Sequence, residues 1–115
     1  MADAKDAMQH ARALAAKSQN PEVHWQTAIT AARIETAGKD VAASVAAHKE
    51  LAAIITRSRE LGYMGIELDA RLALAEIEMK IGQTTAGRAQ LTAIEADAKT
   101  KGYNLIARKA ATARG

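Results

Sequence analysis

The chain has 115 residues, 49% of them hydrophobic, with no Phe, one Trp and two Tyr, so it can bury one modest core of small and aliphatic side chains. The absence of cysteine excludes disulfides and thiolate metal sites. The net charge of +3 is mild, no apolar run approaches the roughly 18 residues of a membrane span, and Met1 to Asp6 is polar and acidic, unlike a secretory leader; a soluble cytoplasmic protein with no membrane partner is expected.

Alanine, the best helix former, fills 29 positions, and the periodicity is helical throughout. The first element is predicted over about 3–18, with Ala4, Ala7, Met8, Ala11, Leu14 and Ala15 in a narrow stripe. Asn20-Pro21 marks a boundary, Asn20 as N-cap and Pro21 as first helical residue. A second helix follows to about Ala37 with Trp25, Ala28, Ile29, Ala32 and Ala37 inward, and Gly38 suits its left-handed end.

The longest helix is predicted over about 40–61, with Val41, Val45, His48, Leu51, Ala52, Ile55 and Leu61 along one stripe and Ile54 widening it. Gly62 ends it. The helix over about 64–81 is apolar on more than one side, as a helix packed between neighbours should be. Gly82 closes it, and Thr84 or Thr85 can cap the next helix, which buries Ala86, Leu91, Ile94 and Ala98 and runs to about Lys101. Gly102 then precedes a short last helix to about Ala113, with Tyr103, Ile106, Ala107 and Ala110 inward.

Six helices joined by short links make antiparallel neighbours, hence one all-α domain over 1–115 built of three hairpins, about 3–37, 40–81 and 84–114. An internal echo supports this. Ser58-Arg59-Glu60-Leu61-Gly62-Tyr63-Met64-Gly65-Ile66 returns forty residues later as Ala98-Lys99-Thr100-Lys101-Gly102-Tyr103-Asn104-Leu105-Ile106, Ala70 returns as Ala110, and Gly38 as Gly82. A period near 40 in a helical pattern means stacked hairpins, a short α-solenoid.

The residues Leu61-Gly62-Tyr63, Glu67 to Glu78, Gly82, Gly87 to Leu91 and Gly102 to Ala110 give the chain a resemblance to tetratricopeptide-repeat-like proteins, especially the C-terminal ends of large bacterial repeat proteins. The likeness covers 38–113 well and 1–37 loosely, and leaves open whether the chain is a whole protein or a segment of a longer one. It implies right-handed stacking of hairpins and capture of a peptide or protein on a concave face. The period of 40–44 differs from the family's usual 34 or so, and the repeat-ending proline is missing, so armadillo-like stacking stays open.

Catalytic chemistry finds little footing, and no catalytic, cofactor or metal residue is assigned. Gly82 to Ala89 has the glycine spacing of a phosphate loop, but Arg88 and Ala89 stand where lysine and a hydroxyl are needed, and no strand precedes it. His10, His24 and His48 lie on different helices without a paired-ligand spacing. Glu67/Asp69 and Glu76/Glu78 sit two residues apart, on different sides of a helix, so neither converges as an acid/base dyad. Glu67-Arg71 reads as a surface ion pair worth about 0.3–0.5 kcal/mol. The two Gly-Tyr sequences read as hairpin corners with the tyrosine folded back.

The expected function is therefore non-enzymatic: a scaffold binding a peptide or protein on the polar side of its first-of-pair helices, with Lys49, Thr56, Arg57, Arg88, Gln90, Thr92 and Glu95 as the binding residues. The alternative is self-assembly into oligomers or filaments through sticky terminal hairpins. After Asp97 no acid remains while Lys99, Lys101, Arg108, Lys109 and Arg114 follow, leaving eleven basic against thirteen acidic groups in 1–98. Helix-dipole complementarity and a solvated terminal face account for that run; the other reading is a patch for nucleic acid or an acidic peptide, against which stands the lack of interleaved aromatics to stack bases.

Overall fold

The computed structural model describes residues 21–37 and 41–115. Over these residues the chain forms five helices and no strand: α1 (Pro21–Glu35), α2 (Val41–Leu61), α3 (Met64–Lys80), α4 (Thr84–Lys101) and α5 (Asn104–Arg114). The expected helix over 3–18, the Asn20 cap, His10 and Gly38 lie outside the described residues.

Three turns share one construction. Gly62, Gly82 and Gly102 take left-handed φ of +80°, +89° and +86°. At each, the next residue donates its N–H to a carbonyl five positions back: Tyr63 to Ser58, Gln83 to Glu78, Tyr103 to Ala98. That same residue's carbonyl then accepts from the next helix: Glu67 N–H to Tyr63, Gly87 N–H to Gln83, Ala107 N–H to Tyr103. One residue thus closes one helix and opens the next, and the chain reverses in two residues. This displaces the expected threonine cap: Gln83 takes the N-cap position with no side-chain cap, and Thr84 and Thr85 already lie inside α4.

The buried seam of α2 is Ser44, Ala47, Leu51, Ile54 and Ser58, and that of α4 is Gly87, Leu91, Ile94 and Ala98. Four of these correspond at a shift of forty: small, Leu, Ile, small. The expected α2 stripe is corrected accordingly, since Val45 and Leu61 are 58% and 56% exposed and Ala52 also faces out. Small side chains at 44, 47 and 58 let α2 approach α3 closely, and that contact outweighs the burial of a valine. In α4, Ala86 is exposed and Gly87 is buried instead. A Cβ on Gly87 would lie 2.9 Å from Met79 Sδ and 3.2 Å from the Ala75 carbonyl oxygen. The two glycines of the phosphate-loop-like stretch are thereby explained, Gly82 by its turn and Gly87 by close helix packing.

Helix α3 touches all four other helices, whereas α2 and α4 do not touch each other. Its all-round apolar composition follows from this. Ile66, Ala70, Ala73, Leu74 and Ile77 pack with Ile29, Ala32, Leu51 and Ile54 of α1 and α2. On its other side Leu72 and Ala75 meet Leu91, Ile94 and Ala110, and Leu68 meets Ala98 and Ala107. Helices α2/α3, α3/α4 and α4/α5 are antiparallel neighbours, as pairs such as Arg59–Glu67 with His48–Glu78 require. Helix α1 runs parallel to α3: Trp25 meets Tyr63 at one end, and at the other Lys80 Nζ donates to the Thr36 carbonyl at 2.9 Å, supplying a cation to the C-terminal end of α1.

Charged side chains knit these layers. Arg59 donates to Glu67 Oε2 from Nε at 3.2 Å and from Nη2 at 3.1 Å. Arg71 lies 3.6 Å from the same oxygen and 2.9 Å from Asp97. The Glu67–Arg71 pair is therefore not a surface pair: both side chains are largely buried, because α4 covers them and supplies Asp97 as a further counter-charge. Glu67 and Glu78 face α2 while Asp69 and Glu76 face α1, so each pair two residues apart diverges, as its spacing required.

Candidate partner-binding groove

The expected binding residues fall on two surfaces. Lys49, Thr56 and Arg57 are exposed on α2; Arg88, Gln90 and Thr92 are exposed on α4. With α3 between these helices, the two sets do not share one packed helical layer. The hydroxyls of Thr56 and Thr92 donate to the carbonyls of Ala52 and Arg88 on their own helices, at 3.2 and 3.0 Å. Glu95 is only half exposed and is engaged within the fold by Arg114 of α5 and by Lys99, the latter at 3.2 Å. The Lys99 ammonium, with the Arg114 guanidinium behind it, holds the Glu95 carboxyl below the usual carboxylate range.

A different face carries a concavity. Helices α1, α3 and α5 bound an open hollow of about 720 Å³, lined by Arg33 from α1, Leu72 and Glu76 from α3, and Leu105, Arg108, Lys109, Thr112 and Ala113 from α5. A smaller one of about 190 Å³ adjoins it, sharing Arg33 and Glu76 and reaching Thr36 and Lys80. Arg33 divides them, its Nη2 donating to Asp69 at 3.1 Å and to Glu76 at 3.4 Å. The carboxylate of Glu76 is thus committed to a cation of the fold.

The α5 side of the hollow is unmatched. Arg108 and Lys109 are exposed, and neither has a carboxylate partner among the described residues. Leu105 is 59% exposed. Forty residues earlier, α3 places Leu68 and Leu72 in full burial against α4 and α5; the corresponding α5 positions are Arg108 and Thr112, both exposed. Sequence reasoning picked out Arg108 and Lys109 only as part of a basic terminal run and did not join them to Leu105 and Thr112 as one face. Its signal was Leu105, Arg108, Lys109 and Thr112 at helical spacing on an acid-free segment, a stripe opposite Ala107 and Ala110.

His48 Nε2 lies 3.5 Å from Glu78 Oε2, while Glu78 Oε1 is buried without a hydrogen-bond partner. Among the described residues no group of three or more His, Cys, Asp or Glu could hold a metal ion, and no helix is long and apolar enough to cross a membrane. Compared with known proteins, the chain matches no family model, no curated protein and no solved structure.

Proposed function

We propose that the chain is a non-enzymatic, soluble helical-hairpin module, stacked in the tetratricopeptide-like manner as a short solenoid of six helices, that binds a peptide or protein partner on an exposed helical face. The observation that carries this reading is the open hollow beside α5, where an exposed leucine stands with two unmatched cations. The stacking is supported by the matching seams of α2 and α4 and by the shared turn construction. A binding role is favoured over a catalytic one because the carboxylates of α3 each face a cation or a histidine that holds them in the fold.

Self-assembly by end-to-end stacking draws less support at this end of the stack. Continued apolar packing would need leucines where α5 has Arg108 and Thr112.

Photo-crosslinking in the source cell, with the chain as bait, tests the proposal. Arg57→Ala/Arg88→Ala would lose the partner if the outer surfaces of α2 and α4 hold it, and Arg108→Glu/Lys109→Glu would lose it if the hollow does. Circular dichroism should report unchanged helicity for both, since all four side chains are exposed. Failure of the parent chain to capture any saturable partner would end the reading.

A further inference from the structure

We infer that the hollow bounded by α1, α3 and α5 takes an acidic, amphipathic peptide segment, its carboxylates meeting Arg108 and Lys109 and an apolar side chain lying beside Leu105. This rests on the protein-binding reading above and adds the face used and the chemistry of the ligand.

Charge decides the sign. The one acidic residue lining the hollow, Glu76, shares the Arg33 guanidinium with Asp69, which leaves one negative charge there against the two positive charges of Arg108 and Lys109. Arg108 and Lys109 meet no carboxylate among the described residues, and Asn104–Arg114 contains no acid at all. Four guanidiniums that reach across helices do meet carboxylates: Arg33 with Asp69 and Glu76, Arg59 with Glu67, Arg71 with Asp97, Arg114 with Glu95. The hollow therefore presents uncompensated positive charge, and a ligand bearing carboxylates gains on approach and on contact.

Shape and polarity decide the rest. Leu105 stands 59% exposed at the margin of a space of about 720 Å³, enough for several side chains of a segment laid along α5. Burying Leu105 removes apolar surface from water, which a purely ionic ligand would not do. A nucleic acid fits less well, since no aromatic ring lines the hollow to stack a base.

The test is fluorescence anisotropy on the whole chain with four probes: a short helical peptide of Glu and Leu with the leucines on one face, the same peptide with Lys for every Glu, the same with Ser for every Leu, and single-stranded oligothymidylate. The acidic leucine peptide should bind at least about tenfold tighter than either peptide counterpart, and weaken as salt is raised. Arg108→Glu/Lys109→Glu should cost about tenfold or more and Leu105→Ser a smaller but measurable factor, while Arg88→Glu on α4 should change nothing. Equal or tighter binding of the lysine peptide would overturn the acidic assignment and leave the protein-binding reading standing. Displacement of the peptide by oligothymidylate would assign the hollow to nucleic acid instead. Sedimentation showing that the hollow is occupied by a second copy, in a dimer abolished by Arg108→Glu/Lys109→Glu, would also overturn it. So would binding of none of the peptides. The protein-binding reading itself falls only with the crosslinking experiment.

Discussion

The ring of Tyr103 lies on Gly65, whose Cβ, if it had one, would stand 3.2 Å from Tyr103 Cε1. Thirty-eight residues separate the two, and the same interval separates Tyr63 from Trp25, whose rings meet edge to face at 5.4 Å and 79°. Each corner tyrosine thus leans on the start of the parallel helix before it. The two contacted positions, Trp25 and Gly65, lie forty residues apart, and a further step of forty falls on Leu105. The repeat is therefore one of tertiary contacts and not of letters alone.

The two corners differ in what they hold. Tyr63 is matched by an aromatic partner, whereas Tyr103 is 38% exposed over a glycine. Tyr63→Ala should cost about 1–3 kcal/mol, combining lost burial with the edge-to-face contact, and Tyr103→Ala under about 1 kcal/mol. Urea unfolding measures both. Trp25, the sole tryptophan, should redden its emission in the first variant and not in the second.

Gly62 and Gly102 each hold a left-handed φ with nothing within 4 Å of a Cβ position, so a substitution there is strained but not blocked. Gly62→Ala and Gly102→Ala should each lower stability by about 1–2 kcal/mol while helicity by circular dichroism stays within error. Equal stability of the variants would mean the turns relax to another geometry.

Glu67 is buried beneath Arg59 and Arg71, and Arg71 also reaches Asp97. Arg71→Met should destabilise by about 1–3 kcal/mol, because it removes one of the two cations beside a buried carboxylate that Arg59 still holds. Adding Glu67→Gln should recover part of that loss. A double-mutant cycle should give a coupling of about 1 kcal/mol or more. Additive losses would place the two side chains in separate roles.

Glu95 titrates below its ordinary range because Lys99 and Arg114 favour its charged form. A depressed folded-state value means the contribution is complete above the ordinary carboxylate range and disappears as pH falls through the depressed value. Glu95→Gln should therefore unfold at a lower temperature than the parent at neutral pH, and the gap should close in strong acid. A gap that persists unchanged into acid would mean Glu95 contributes through packing alone.

Helix content, the three described glycine bends and the crowded character of α3 were legible from composition and spacing, because propensity and left-handed turns are local properties of the chain. The seam of α2 was not. Its small residues bury because α3 comes close, and no count of aliphatic side chains along α2 reports that distance. The Glu67–Arg71 pair was legible as an i, i+4 neighbour, but its burial depended on α4 arriving above it with Asp97. The hollow beside α5 is a property of three helices distant in sequence, and the binding residues expected on α2 and α4 were chosen without knowing that α3 parts those helices. Where the rods begin, bend and end follows from local propensity and the placement of glycine. Which of their faces meet follows from how closely neighbouring helices approach, a non-local quantity that no stretch of chain carries alone.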